Sequence, residues 1–106
     1  MVDEHCREYP LGTPPLKDAE VKQLLGEVPG WELDGDGNLT REFSFDDFIG
    51  AFGLVAQVAL LAQAESHHPL VELEWGRAAF TNWTQTAEGL TRNDFILAAK
   101  INQLAG

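Results

Sequence analysis

The segment from Ala51 to Ala64 contains no charged residue, and this feature restricts the fold more than any other. Its apolar residues keep mostly helical spacing, and a helix that is apolar on most sides is buried in a core. We therefore expect a long helix to about residue 66, buried on most of its circumference, with Ser44 and Asp47 as a capping box at its start. Because Pro69 disfavours helical backbone at the residue before it, the helix should end at or before His68. The spaced positions are Phe48, Phe52, Val55, Val58, Leu61 and Ala62.

Two pairs of strands are predicted on either side of this helix. Residues 71–75 alternate between apolar and acidic side chains, which is typical of a half-buried strand. A tight connection at 76–77 leads into a second strand, expected over 78–86. Before the helix, two alternating runs within 31–43 flank a segment rich in Gly, Asp and Asn at 34–38, as in a β-hairpin.

Two further helices complete the predicted order α-β-β-α-β-β-α. The first begins near Lys17 and ends at Pro29-Gly30, and the last begins with a second capping box formed by Thr91 and Asp94. Two hairpins separated by helices favour an α+β fold, in which a four-stranded antiparallel sheet has three helices packed on one face. The apolar positions that define these two helices are Val21, Leu24, Leu25, Val28, Leu97, Ile101 and Leu104.

Length and charge limit the organisation of the chain and its partners. The 106 residues predict one domain at 17–106, preceded by a Pro-rich N-terminal arm at 1–16 that we expect to be flexible. The formal net charge of −10 repels phosphate backbones and anionic lipid, so we expect neither nucleic acid nor a membrane as a partner. No apolar run reaches the roughly 18 residues of a membrane span. The single cysteine, Cys6, and the polar start of the chain indicate a reduced, cytoplasmic protein.

The sequence His67-His68-Pro69 places two groups that titrate near neutrality at the end of the long helix. Neighbouring helical residues project about 100° apart, so one imidazole could face a cleft while the other braces the loop. The alternative is a histidine that only caps helix carbonyls. The remaining histidine, His5, lies in the arm beside Cys6, and a structural zinc site needs about four well-spaced ligands. We therefore expect no metal.

Five pieces of sequence form one set along the chain. They are PGWEL at 29–33, REFSFDDF at 41–48, ESHHP at 65–69, Trp75, and GLTRNDFILAAKI at 89–101. Their order and spacing resemble the pterin-4a-carbinolamine dehydratase family across residues 17–106. The resemblance implies a four-stranded antiparallel sheet with helices on one side, and assembly into homodimers or homotetramers. It also implies loss of water from a 4a-hydroxytetrahydropterin, with imidazoles as general acid and base and without a metal or an organic cofactor.

The resemblance further implies roles for individual residues. His67 and His68 would contact the pterin as acid and base, and Asp94 would be the acidic residue that closes the catalytic motif. Pro69 follows the two histidines in the substrate-binding corner. Trp75 fills the aromatic position of the motif and could stack on a flat heterocycle. We favour a core aromatic on the inward face of its strand, because Trp is usually well buried.

Two positions depart from the family pattern. The family has a third His, or sometimes a Trp, ten residues after the strand aromatic, where this chain has Gln85. Trp83 lies two residues earlier, on the same face of the predicted strand, and is not at the motif position. Four residues before the first His the family prefers a charged side chain, and this chain has Gln63. Gln85 can hold a hydrogen bond to a pterin, and we assign it to substrate binding, but an amide cannot exchange a proton near pH 7.

These departures lead to competing functions. We favour a catalytically impaired protein that acts as an assembly factor, or chaperone, for Rubisco in an α-carboxysome context, since a branch of the family that lacks the full histidine set has that role. Its partner would be the Rubisco large subunit. The alternative is an active 4a-hydroxytetrahydropterin dehydratase that uses His67 and His68 in pterin recycling, and it requires a cleft that Trp83 and Gln85 do not fill. A less favoured third function is docking on the helices of a transcription factor, as in some relatives.

Overall fold

The computed structural model describes residues 1–106, and its elements follow the predicted order. It contains three α-helices, four strands and one short 3-10 helix, so the predicted α+β fold is confirmed. The helices are α1 at Asp18–Leu25, α2 at Phe48–Glu65 and α3 at Arg92–Ala105; the strands are β1 at Glu32–Leu33, β2 at Leu39–Ser44, β3 at Leu70–Glu74 and β4 at Arg77–Asn82; the 3-10 helix is Gln85–Ala87.

The strands form one antiparallel sheet in the order β1-β2-β4-β3. The two hairpins meet in the middle of the sheet, where β2 pairs with β4 from Leu39↔Asn82 to Ser44↔Arg77. Side chains alternate between the two faces of a strand, and one face of this sheet packs against the helices. The largest apolar side chains that are fully buried in this layer are Phe80, Phe95, Leu39, Leu97, Ile101, Val28 and Val58.

Helix α2 begins later than the predicted capping box requires. Ser44 is the last residue of β2, and the N-cap is Asp47, whose carboxylate accepts a hydrogen bond of 2.7 Å from the N–H of Gly50. The prediction of a Ser44–Asp47 box was therefore wrong. Ser44 pairs with Arg77 in the sheet, and this ladder position competes with the cap.

The burial of α2 also differs from the prediction of a helix buried on most sides. Only one stripe is buried, formed by Ala51, Leu54, Val58 and Ala62, while Ile49 and Leu60 are each 74% exposed. The reason is the two-layer architecture, in which a single layer of helices turns one side toward the sheet. By length and composition α2 is also apolar enough to cross a membrane, contrary to the prediction that no apolar run is long enough. The core helix of a protein passes the same test, and α2 packs on the sheet and on α3.

Strand β4 is shorter than the predicted strand over 78–86. It ends at Asn82 because the partner strands end there: Asn82 pairs with Leu39, the first residue of β2, and Thr81 pairs with Leu70, the first residue of β3. Beyond this point Thr84 forms an isolated bridge with Gly89, and the chain enters the 3-10 helix. The expectation that 83 and 85 share one face of a strand was therefore wrong.

The first 16 residues form no helix or strand, yet they lie along the body of the domain. The N–H of Gly12 donates to the carbonyl of Thr86 at 2.9 Å, and the N–H of Leu16 donates to the carbonyl of Leu90 at 2.8 Å. Further contacts near the start of the chain reach the ends of α2 and α3. The flexibility of this segment stays a prediction, but its contacts place it beside the two histidines.

Candidate active site

The corner that carries the two histidines begins at the end of α2. Helix α2 ends at Glu65, as predicted from Pro69, and Ser66 follows in the left-handed region with φ 54°. The N–H of His67 then donates to the carbonyl of Ala62 at 3.2 Å, which satisfies a carbonyl of the last turn. This reversal turns the chain away from the helix axis, so that the next two side chains leave the helix.

His67 is fixed by a buried carboxylate. Its Nε2 lies 2.6 Å from Oδ1 of Asp94, whose side chain is 0% exposed. The other oxygen of Asp94, Oδ2, accepts hydrogen bonds from Oγ1 of Thr84 at 2.8 Å and from the N–H of Thr91 at 2.9 Å. Asn82 donates from Nδ2 to the carbonyl of Asp94 and so anchors the same residue through its backbone.

The bonds of Asp94 determine which nitrogen of His67 is available to a ligand. Since both carboxylate oxygens accept, Nε2 of His67 is the donor and carries a proton. The other ring nitrogen, Nδ1, has no partner in the protein and presents a lone pair when the ring is neutral. A buried carboxylate at this position also stabilises the imidazolium that forms when Nδ1 takes up a proton.

His68 has different surroundings from its neighbour. It is exposed, and its nearest polar partner is Oε1 of Gln63 at 3.4 Å from Nε2, which is long for a hydrogen bond. The ring is therefore held loosely. One imidazole of the pair is oriented by a buried acid, and the other can reach both solvent and a ligand.

A cleft of about 1110 Å³ opens beside this corner, slightly larger than the volumes that small-molecule sites usually have, about 300–1000 Å³. Trp83 and Gln85 lie on its wall and leave it open. Asp94 lies behind His67 and does not line the cleft. The cleft is lined by the side chains of His67, His68, Trp83 and Gln85, and also by Thr84 and Asn93, whose polar atoms are already bonded within the protein.

Two of the residues assigned to substrate binding lie elsewhere. Pro69 and Trp75 do not line the cleft, and their assignment to substrate binding stays a prediction. The interpretation of Trp75 as a core aromatic was wrong, because Trp75 is 68% exposed. Trp75 follows the last residue of β3, at the turn into β4. A strand rises about 3.3 Å per residue, which puts this turn roughly 20 Å from His68 along the chain.

Residues of the N-terminal segment also line the cleft, and the sequence interpretation gave them no role. They are His5, Cys6, Arg7, Glu8, Tyr9 and Pro10. His5 and Cys6 both contact Glu65, the last residue of α2. No group of three His, Cys, Asp or Glu side chains in the protein is arranged to hold a metal ion.

Comparison with known proteins places this geometry in a family. The profile of the family described as Pterin 4 alpha carbinolamine dehydratase matches residues 14–104. The chain belongs to the pterin-4a-carbinolamine dehydratase family. The predicted membership is thus confirmed, and it covers the sheet, all three helices and the histidine corner.

Individual relatives of this dehydratase family match over almost the whole chain. A "Putative pterin-4-alpha-carbinolamine dehydratase 1" of Cupriavidus pinatubonensis is 45% identical over 99% of this chain and 91% of its own length. A "Putative pterin-4-alpha-carbinolamine dehydratase" of Rubrobacter xylanophilus is 38% identical over 98% of this chain and 97% of its own. The crystal structure of a transcriptional coactivator/pterin dehydratase from Brucella melitensis has a TM-score of 0.82 and 38% identity, and the match covers 87% of this chain and 99% of that one.

Proposed function

We propose that this protein is an active dehydratase of 4a-hydroxytetrahydropterins. The observation that carries the proposal is the pair of imidazoles on an open cleft, His67 oriented by buried Asp94 and His68 free beside it. An impaired site closed by its own side chains would have Trp83 and Gln85 in the cleft. They lie on its wall instead, which supports the enzyme over the impaired protein favoured from sequence alone.

The reaction uses two proton transfers and releases one molecule of water. His67 takes the proton from a ring nitrogen of the substrate with Nδ1, since its Nε2 is bonded to Asp94 and the carboxylate stabilises the resulting imidazolium. His68, protonated, gives its proton to the hydroxyl on the adjacent carbon as the C–O bond breaks. A C=N bond forms and water leaves. Because His68 is exposed, it recovers its proton from solvent, and His67 releases the proton on Nδ1 to water in the open cleft, so both rings return to their starting states.

Gln85 removes one proton-transfer group from this mechanism. It lies on the cleft where the family has its third His, and its amide holds the substrate by a hydrogen bond without proton transfer. Loss of one general acid or base typically lowers a rate by about 10²–10⁴-fold. We therefore expect this protein to be a slower enzyme than a member with three histidines.

The test is a stopped-flow assay of 4a-hydroxytetrahydropterin dehydration by the wild type and by four variants. His67→Ala and His68→Ala should each lower kcat by about 10²–10⁴-fold, and Gln85→His should raise it. The matched control is Gln103→His, the same exchange on the exposed end of α3, which should leave kcat unchanged. A wild-type rate equal to the uncatalysed rate would overturn the proposal.

A second candidate function is supported by the two amides. Gln85 stands on the cleft and Gln63 stands beside His68, at the two positions where the sequence departs from the family pattern. We propose as the alternative that the protein is an assembly factor for Rubisco in an α-carboxysome context, with the large subunit as its client. Co-expression with that subunit should then raise the yield of assembled Rubisco, equally for wild type and His67→Ala. An unchanged yield would refute this alternative.

We also propose that the protein forms homodimers or homotetramers. The side of α2 that faces away from the sheet presents Phe48, Ile49, Phe52 and Leu60, four large apolar side chains whose exposure a second copy would remove. Light scattering on the eluting protein should give two or four times the mass of the 106-residue chain. A mass equal to one chain at micromolar concentration would contradict the expectation.

A further inference from the structure

The first turn of α3 binds the N-terminal segment with two consecutive residues. Arg92 donates from Nε and Nη2 to the two carboxylate oxygens of Glu4, at 2.7 Å each. Asn93 pairs with the backbone of Arg7: its Oδ1 accepts from the N–H at 3.0 Å, and its Nδ2 donates to the carbonyl at 2.6 Å. The next residue, Asp94, binds His67.

The same segment is bound to the end of α2. Oε1 of Glu65 accepts from the N–H of Cys6 at 2.7 Å, and Oε2 lies 2.8 Å from Nδ1 of His5 and 3.7 Å from Nζ of Lys100. Burial raises the pKa of Glu65, but the hydrogen bonds from Cys6 and His5 and the charge of Lys100 outweigh it, and the pKa lies below its ordinary value. The carboxylate is thus ionised and bonded on both oxygens.

Residues 4–7, which we call the clamp, therefore connect the end of α2 with the start of α3. These are the two elements whose neighbouring residues form the His67–Asp94 pair. His67 comes two residues after Glu65, and Asp94 comes directly after Asn93. Apart from this pair and the 3.7 Å ion pair between Glu65 and Lys100 further along α3, the clamp makes the polar connection between the two ends, because Glu65 and Asn93 are bonded to consecutive residues of one segment.

We propose that the clamp fixes the orientation of His67, with Asn93 as the positioning residue. The Asn93 side chain is buried, and an amide is the group that can both accept from and donate to the backbone of one residue. The clamp holds the end of α2 at the distance at which Nε2 of His67 and Oδ1 of Asp94 are 2.6 Å apart. Without it, the corner can move away from α3, and a displacement of about 1 Å in a catalytic group can cost about 10²-fold in rate.

The experiment compares Asn93→Ala with Asn102→Ala, a matched change on the same helix. Asn102 is partly buried, and its side chain makes three hydrogen bonds, with Trp31, Arg41 and Pro29, against the two that the Asn93 side chain makes with Arg7. The readouts are solvent exchange of the Nε2–H proton of His67 by NMR, and kcat against KM. The NMR readout is independent of the proposed function, and the kinetic readout rests on it.

We expect Asn93→Ala to accelerate exchange of the Nε2–H proton about tenfold or more and to lower kcat about 10–100-fold with little change in KM. Asn102→Ala should lower stability but leave both readouts unchanged. Equal effects of the two variants would overturn the proposal, since Asn93 would then be merely structural. A wild-type rate equal to the uncatalysed rate, together with the expected exchange difference, would count against the dehydratase and still support the clamp.

A backbone variant covers the case in which Asn93→Ala does not fold. Arg7→Pro removes the N–H that donates to Asn93, whereas Arg7→Ala keeps both backbone groups. We expect Arg7→Pro to accelerate exchange of the His67 proton and Arg7→Ala to leave that exchange as in the wild type. Identical exchange in the two variants would overturn the role of the clamp.

Discussion

Exchanging Asp94 for Asn separates the two tasks of this side chain. In the native protein Oδ2 accepts from Thr84 and Thr91, and Oδ1 accepts from Nε2 of His67. When the amide oxygen takes the place of Oδ2, the amide NH₂ faces His67 and can only donate. Nε2 must then give up its proton, and the ring changes to the tautomer with a proton on Nδ1. The nitrogen that faces the substrate no longer carries a lone pair.

The magnitude follows from the bonds of Asp94. Asp94→Asn exchanges a hydrogen bond to a charged group, worth about 1.5–3 kcal/mol, for a neutral one, worth about 0.5–1.5 kcal/mol, so stability should fall by about 1–2 kcal/mol. Asp94→Ala leaves three donors without their acceptor at a position with 0% exposure and should cost about 3–5 kcal/mol. Urea unfolding of both variants measures the difference.

Long-range ¹H–¹⁵N NMR of the imidazole ring identifies the protonated nitrogen directly. We expect Nε2–H in the wild type and Nδ1–H in Asp94→Asn, with dehydration slowed about 10²–10⁴-fold because the base is lost. The matched control is Asp34→Asn, the same exchange in the β1–β2 turn, where the side chain accepts from Asp36 and Asn38. His67 that keeps its proton on Nε2 in Asp94→Asn would refute this reasoning.

Three further predictions concern the end of α2 and the N-terminal segment that contacts it. The pKa of Glu65 is lowered from 4.5, so the ionised carboxylate stabilises the fold above that pH, and this stabilisation is lost as the pH falls below it. Urea unfolding at about pH 6 and pH 4 should therefore show that the free energy of unfolding falls less in Glu65→Gln than in the wild type. Burial, and then the negative charge of Glu65, raises the pKa of the Cys6 thiol from 9.0 to about 12, which lowers its thiolate fraction about a thousandfold at pH 8. Alkylation of Cys6 by iodoacetamide should therefore be slow in the native protein and fast in urea. Equal rates in the two conditions would contradict the burial of the thiol. Ser66 has φ 54°, so Ser66→Gly should stabilise the protein by up to about 1 kcal/mol, with a thermal midpoint that rises; a lower midpoint would show that the hydroxyl matters more than the strain.

The helix ends and the hairpins could be predicted from local sequence because the responsible groups are close in the chain. Pro69 and the cap at Ser66 lie within a few residues of the helix end, and the Thr91–Asp94 box is a local motif that the structure contains. The extent of burial of α2 could not be predicted in this way. An apolar sequence shows that a helix can be buried on all sides, whereas the number of layers in the fold determines which sides other elements cover. In this two-layer fold Ile49 and Leu60 remain exposed.

The sequence pointed to the histidines of the candidate site but not to most of the residues that hold them in place. His67, His68 and Gln85 line the cleft, and Asp94 is reached from His67, but Pro69 and Trp75 lie outside it. The missed residues are bonded to positions that lie elsewhere in the chain: Glu65 to Cys6 across 59 residues, Asn93 to Arg7 across 86, and Thr84 to Asp94 across 10. Such contacts leave no periodicity in the sequence, and the register that ends β4 at Asn82 depends on partner strands in the same way.

The most direct test of the central claim is the rate at which the wild-type protein dehydrates a 4a-hydroxytetrahydropterin, measured against the uncatalysed rate in the same buffer and against His68→Ala. We expect a rate that increases in proportion to protein concentration and falls to near the uncatalysed value in His68→Ala. A wild-type rate that does not change with protein concentration would show that the protein is not a dehydratase, and the open cleft beside His67 and His68 would then need another occupant.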